Sequence, residues 1–181
     1  MRTVKVASFV LLFTMVMSMG VVLADSPHFI SVSDQLFPAT SNIDAGDLQV
    51  SFKEAGLGNN VTIDYTAAAQ GSATYACING GGNHPSASNK ETVSGPVSAS
   101  GAFNSGKNGT ISQTLTIEEP SPGTFTCPGG QTFVLGSVSF TSVSITDTTN
   151  NVSEPVPNQS VTFCDVDNLT KATVKNCAIP D

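Results

Sequence analysis

The chain has no tryptophan and only two tyrosines, Tyr65 and Tyr75. Sugar-stacking surfaces draw on exposed rings of these kinds, so carbohydrate or cell-wall binding stands second to a more general surface role. Arginine occurs once, at Arg2. Beyond residue 24, five lysines face fourteen acids, a net charge near −9. Without the guanidinium fork that grips phosphate, and with an acidic field that repels polyanions, nucleic acid is excluded as a partner. Helical periodicity is missing, and so is any repeat of roughly 20–50 residues, which excludes solenoids and propellers. No CxxC and no GxSxG occurs, and only two histidines, His28 and His84, are available for a metal or a base. No cofactor is expected.

What is present begins with a leader. Arg2 and Lys5 precede an apolar run from Val6 to Val22, and Val22-Leu23-Ala24 fits cleavage before Asp25. The run is close to the roughly 20 residues that span a bilayer, so an uncleaved anchor is the plain alternative. Thr14, Ser18 and Gly20 interrupt it, and cleavage is the expectation. No later segment is comparably apolar, and TVKNCAIPD offers no tail for a GPI anchor. The expected product is a secreted, extracellular monomer with no membrane attachment. Its length suits one domain with a real core.

Four cysteines, Cys77, Cys127, Cys164 and Cys177, all lie beyond the leader. An even set in an oxidising compartment predicts two disulfides, with three pairings open. The spacings of 50, 37 and 13 residues match no zinc pattern.

From Phe29 onward the hydrophobic period is two. Strands are expected at Phe29 to Ser33, at Leu48, Val50 and Phe52, at Val61, Ile63 and Tyr65, and, after a turn or bend at Gln70-Gly71, from Ser72 to Ile78. Thr92 to Phe103 carries Gly95, Pro96 and Gly101 and is placed at a sheet edge or across a kink. NSGKNG at 104–109 reads as a hairpin turn into the strand of Ile111, Leu115 and Ile117. Thr124 to Cys127 reads as a short strand. Between Thr132 and Thr146 the apolar phase changes twice, which predicts a bulge or a bend, and a bulge would let the strand cross between two sheets. Asp147 to Pro157 reads as loop, and Val161 and Phe163 as a last strand. Seven or eight such strands argue for an all-β fold, an antiparallel, immunoglobulin-like β-sandwich at 25–163, preceded by the signal peptide at 1–24 and followed by a disulfide-closed tail at 164–181.

Tyr75-Ala76-Cys77 resembles the Tyr-x-Cys of an immunoglobulin strand, but it is the first cysteine and no tryptophan packs on it, so the resemblance supports architecture and not antibody-type membership. Gly80-Gly81-Gly82 could cradle an anion, yet no helix start or Lys-Ser pair follows, and a tight exit from the strand explains it. His84 could serve a secreted hydrolase as base, but nothing singles out a serine partner. Asp165-Val166-Asp167-Asn168 lacks the glycine and distal glutamate of a calcium loop. Glu118 and Glu119, adjacent on a strand, point to opposite faces and read as a solvated turn. Asn79, Asn83, His84, Asn89 and Lys90 form an uncharged to slightly basic group on an acidic chain and are the candidate recognition loop. Sequons stand at Asn60, Asn108, Asn151, Asn158 and Asn168.

The segments SFKEAGLG at 51–58, TYACINGGGNHPSASNKETVSGPVSASGAF at 74–103, PGTFTCPGGQ at 122–131 and VLGSVSFTSVSITDTTN at 134–150 resemble a group of small secreted proteins of unknown function from soil bacteria and fungi. That group carries an AGLG segment, a Cys-x-Asn-x-Gly-Gly loop leading to Asn-Lys, and a Cys-Pro-x-Gly-Gln turn. The resemblance covers about residues 28 to 163. It implies secretion, a compact domain, and Cys77 with Cys127 as the core pair, leaving Cys164 to bond Cys177. It implies no activity. The expectation is therefore a non-catalytic extracellular protein that works by surface contact with an unidentified partner or a polysaccharide.

Overall fold

The computed structural model describes residues 26–37, 45–79, 89–168 and 176–179. The leader, Gly80-Gly81-Gly82 and, of the expected recognition loop, Asn83 and His84 lie outside the described residues. Among the described residues, eight strands form two antiparallel sheets: β1 (His28–Leu36), β2 (Leu48–Ala55), β3 (Thr62–Asn79), β4 (Lys90–Asn104), β5 (Thr110–Ile117), β6 (Gln131–Asp147), β7 (Val152–Pro155) and β8 (Gln159–Thr162). One sheet has the order β1-β2-β5, the other β4-β3-β6, with β7 and β8 both on the far edge of β6. This is an immunoglobulin-like sandwich in which the fourth strand pairs with the third instead of joining the first sheet. The β2–β3, β4–β5 and β6–β7 turns share what we term the upper end. The β5–β6 connection and the tail lie at the lower end.

Period-two burial explains the core. Leu48, Val50 and Phe52 from β2 and Ile111, Leu115 and Ile117 from β5 face Ile63, Tyr65, Ala67, Ala69, Ala73 and Tyr75 of β3 and Leu135, Val138, Phe140, Val143 and Ile145 of β6. The turn expected at Gln70-Gly71 is absent, and β3 runs unbroken for 18 residues. Alanine and glycine are poor strand formers, so this stretch reads weakly, yet its inward phase never changes. Small residues belong there because the opposite wall is close: a Cβ on Gly71 would sit 2.8 Å from Pro120 Cγ. Both phase changes in β6 are bulges. Gly136 is skipped between Thr74↔Ser137 and Tyr75↔Leu135, and Ser142, at φ 52°, is extruded near Ala69. The strand nevertheless stays in one sheet throughout.

Three further expectations are corrected. NSGKNG is no hairpin turn, because β4 pairs with β3 and β5 with β2. Its short 3-10 turn at Gly106–Asn108 carries the chain between sheets. Ser105 clamps it by donating to the Gly58 carbonyl (2.7 Å) and accepting from the Val61 N–H (3.0 Å). Thr124 to Cys127 is irregular, and the supposed loop 147–157 contains β7. β7 and β8 are two halves of one edge strand, interrupted where the Asn158 side chain accepts the Ser142 N–H (3.0 Å).

Both disulfides have the expected partners, Cys77–Cys127 and Cys164–Cys177. Cys127 lies in the β5–β6 connection, so the first bridge closes the lower end and does not pin the middle of the sheets. The second closes the tail over the outer face of the five-stranded sheet, where Val166 and both cysteines cover Ala76, Ile78 and Val134. Gly136 makes room for this contact, since a Cβ there would lie 2.4 Å from Val166 Cγ1. Ala178 then pairs with Leu135 through two backbone bonds of 2.9 and 3.2 Å.

Candidate functional site

The described part of the expected recognition loop comprises Asn79, exposed at the end of β3, and Asn89 and Lys90, half-buried at the start of β4. Lys90 Nζ forms an ion pair with Asp167 Oδ1, so its charge is matched by the tail and is not displayed as a free cation. The Asp-Val-Asp-Asn segment thus serves the tail turn: Asp165 accepts from the Asp167 N–H (2.9 Å) and from Asn168 Nδ2 (2.7 Å). Those bonds, that from Asn168 foremost, hold the Asp165 carboxyl below its usual range. Three sequons, Asn60, Asn108 and Asn151, are exposed together at the upper end, while Asn158 lies along the sheet edge and Asn168 in the tail turn.

Sequence reasoning missed a polar group inside the core. Glu54 continues the inward phase of Leu48, Val50 and Phe52 and is fully buried, as is Asp147 at the end of β6. Tyr65 donates to Glu54 Oε2 at 2.6 Å, linking β3 to β2 across the sandwich. Asp147 Oδ1 accepts the Thr149 and Asn150 N–H groups, both at 2.8 Å, and Oδ2 accepts Asn150 Nδ2 at 2.7 Å. Phe52 (ring centroid 4.5 Å from Tyr65), Phe103 (6.1 Å) and Phe29 (6.4 Å) pack around the tyrosine. Burial and the adjacent Asp147 push the Glu54 carboxyl up, against the opposing effect of the Tyr65 hydrogen bond. Burial likewise pushes the Tyr65 phenol up.

Tyr75 repeats the device at the lower end, donating to the Pro120 carbonyl (2.8 Å) and reaching Glu119 Oε1 (3.3 Å). It also stacks on Phe133, centroids 5.3 Å apart. Glu119 is therefore half-buried and bonded, not simply a solvated turn residue, whereas Glu118 is exposed.

On its other side the five-stranded sheet displays hydroxyls in register. One row runs Thr92, Thr74, Ser137, Thr162, and the next runs Ser94, Ser72, Ser139, Ser160. A third runs Ser100, Thr66, Thr146, Ser153. Neighbours within rows are bonded at 2.8–3.0 Å: Thr74 with Thr92, Ser94 with Ser72, Thr66 with Ser100, and Thr146 with Ser153. Each hydroxyl has one donor and two acceptor sites, so pairing leaves capacity facing solvent. From the first row to the third, the outward residues of these strands carry no formal charge. The patch measures about 27 Å along the strands and about 15 Å across them. Uncharged outer faces were legible in the composition. Their alignment into rows depends on register, which the sequence does not display.

No family model matches the chain, no curated protein matches it, and no solved structure matches it.

Proposed function

We propose that the protein is a non-catalytic extracellular contact protein whose working surface is the outer face of the five-stranded sheet. The observation that carries the reading is the three-row hydroxyl patch, an uncharged field on an acidic molecule. Two disulfides and the leader-like first 24 residues support export, and among the described residues no helix is long and apolar enough to cross a membrane. The catalytic alternative draws little support from the described titratable groups, because the close carboxyl pair, Glu54 and Asp147, is sealed away from solvent. The partner this surface suits is a neutral, hydroxyl-rich polymer of the cell wall or surroundings, which exchanges hydrogen bonds with hydroxyl rows without burying charge. Glycans on Asn60, Asn108 and Asn151 would sit at the upper end.

The test is co-sedimentation with insoluble neutral polysaccharides, using wild type and a Ser94→Glu, Ser139→Glu double variant. Retention of the wild type that falls about tenfold in the variant supports the face. Absence of retention on every polymer, or retention indifferent to the substitutions, removes it.

A further inference from the structure

Between the second and third hydroxyl rows the face dips. The depression, about 490 Å³ and open to solvent, is lined by Thr66, Ala68, Gln70, Pro96, Ser98 and Ser142 among others. Its origin is local. Ala68 is the one outward position of mid-β3 with only a methyl group, Pro96 stands opposite Gln70 on the edge strand, and the β6 bulge turns Ser142 out at φ 52°. We infer that this depression is a subsite for one neutral sugar ring of the polymer, a reading that rests on the proposed working face.

The chemistry fits that occupant and no charged one. No lining residue is ionisable, so an anionic or cationic ligand would lose hydration without a counter-charge. Pro96 and Ala68 offer C–H surface to the apolar face of a pyranose, in the place an aromatic ring would otherwise fill. Around them the Gln70 amide supplies both donor and acceptor, and the Thr66, Ser98 and Ser142 hydroxyls supply more. A sugar hydroxyl needs such two-way partners because it too both donates and accepts. Hydroxyl rows on either side would then carry neighbouring units of the chain. An open subsite without a stacked ring binds weakly, on the order of 1 mM for a short oligosaccharide.

The experiment titrates isotope-labelled protein with cellohexaose and with mannohexaose, following Ala68 and Ser98 resonances, and repeats polymer co-sedimentation with Ala68→Phe. Ala68 points outward, so phenylalanine fills the depression without entering the core. Ser112→Phe, on the outer face of the other sheet, is the control. The expected result is saturable shifts at Ala68 and Ser98 with at least one probe and an affinity about tenfold weaker in Ala68→Phe, with Ser112→Phe unchanged. Polymer retention that persists in Ala68→Phe, without shifts at these residues, overturns the subsite and leaves the face standing. Loss of all retention in the wild type overturns both. Equal weakening by Ser112→Phe also overturns the subsite, since the effect would then not be local.

Discussion

Along β3 the inward positions run Ile63, Tyr65, Ala67, Ala69, Gly71, Ala73, Tyr75 and Cys77, while the outward ones from the third hydroxyl row to the first run Thr66, Ala68, Gln70, Ser72 and Thr74. The inward series carries both tyrosines and a disulfide, and its polar atoms are spent on Glu54, Pro120 and Glu119. The outward series carries small neutral groups whose hydrogen-bonding capacity is only partly used within the sheet. One strand thus holds the molecule together with one side and, on the proposed function, meets the partner with the other. Changes to the inner side should move stability and leave polymer retention alone, and changes to the outer side should do the reverse.

The largest expected effect comes from the lower-end staple. Replacing Cys77 and Cys127 together by serine frees a 50-residue loop and should cost about 4 kcal/mol in the chain-entropy model, against about 3 kcal/mol for the 13-residue Cys164–Cys177 loop. Denaturant unfolding measures both, and equal losses would contradict the assignment of the first bridge as the stronger constraint. Next come the tyrosines. Tyr65→Phe strips the buried Glu54 of its donor and should cost about 2 kcal/mol, whereas Tyr75→Phe, whose nearer acceptor is the uncharged Pro120 carbonyl, should cost about 1 kcal/mol.

A pH effect follows from Glu54. Its folded pKa is raised above the ordinary 4.5, so the folded state binds more protons than the unfolded chain within that window. Stability from this group is therefore fully present below about 4.5 and is lost as pH rises through the raised value, at about 1.4 kcal/mol for each unit of the rise. Glu54→Gln mimics the protonated acid and can still accept from Tyr65. Thermal melts of this variant from pH 4 to 9 should show a flatter profile than the wild type, with the gain at the alkaline side. A steeper profile would mean that Glu54 is ionised in the core. The smallest stability effect is expected outside: Ser94→Glu with Ser139→Glu should shift unfolding by under about 0.5 kcal/mol for each site.

Much of this sandwich could be read from residues alone. Alternation at Leu48, Val50 and Phe52 located β2, and Pro96 with Gly95 placed β4 at an edge, because proline cannot donate to a second neighbour. The phase slips in β6 marked its bulges at Gly136 and Ser142. What escaped detection depended on partners distant in sequence. Gly71 looked like a turn because its reason for being small, Pro120, arrives 49 residues later in the β5–β6 connection. NSGKNG looked like a hairpin because its composition reports a turn but not which strands pair beyond it. Glu54 was visible as an inward position by period two, yet only Tyr65 and Asp147 explain how a carboxyl can stay there. The hydroxyl rows needed four strands in register before their alignment existed at all.

The most direct check of the central claim is covalent footprinting of the protein bound to an insoluble neutral polysaccharide against the protein free in solution. Protection is expected at outward residues of β4 and β8, with β1 and β5 labelled equally in both states. Protection confined to β1 and β5, or to the segment between Asn79 and Lys90, would contradict it.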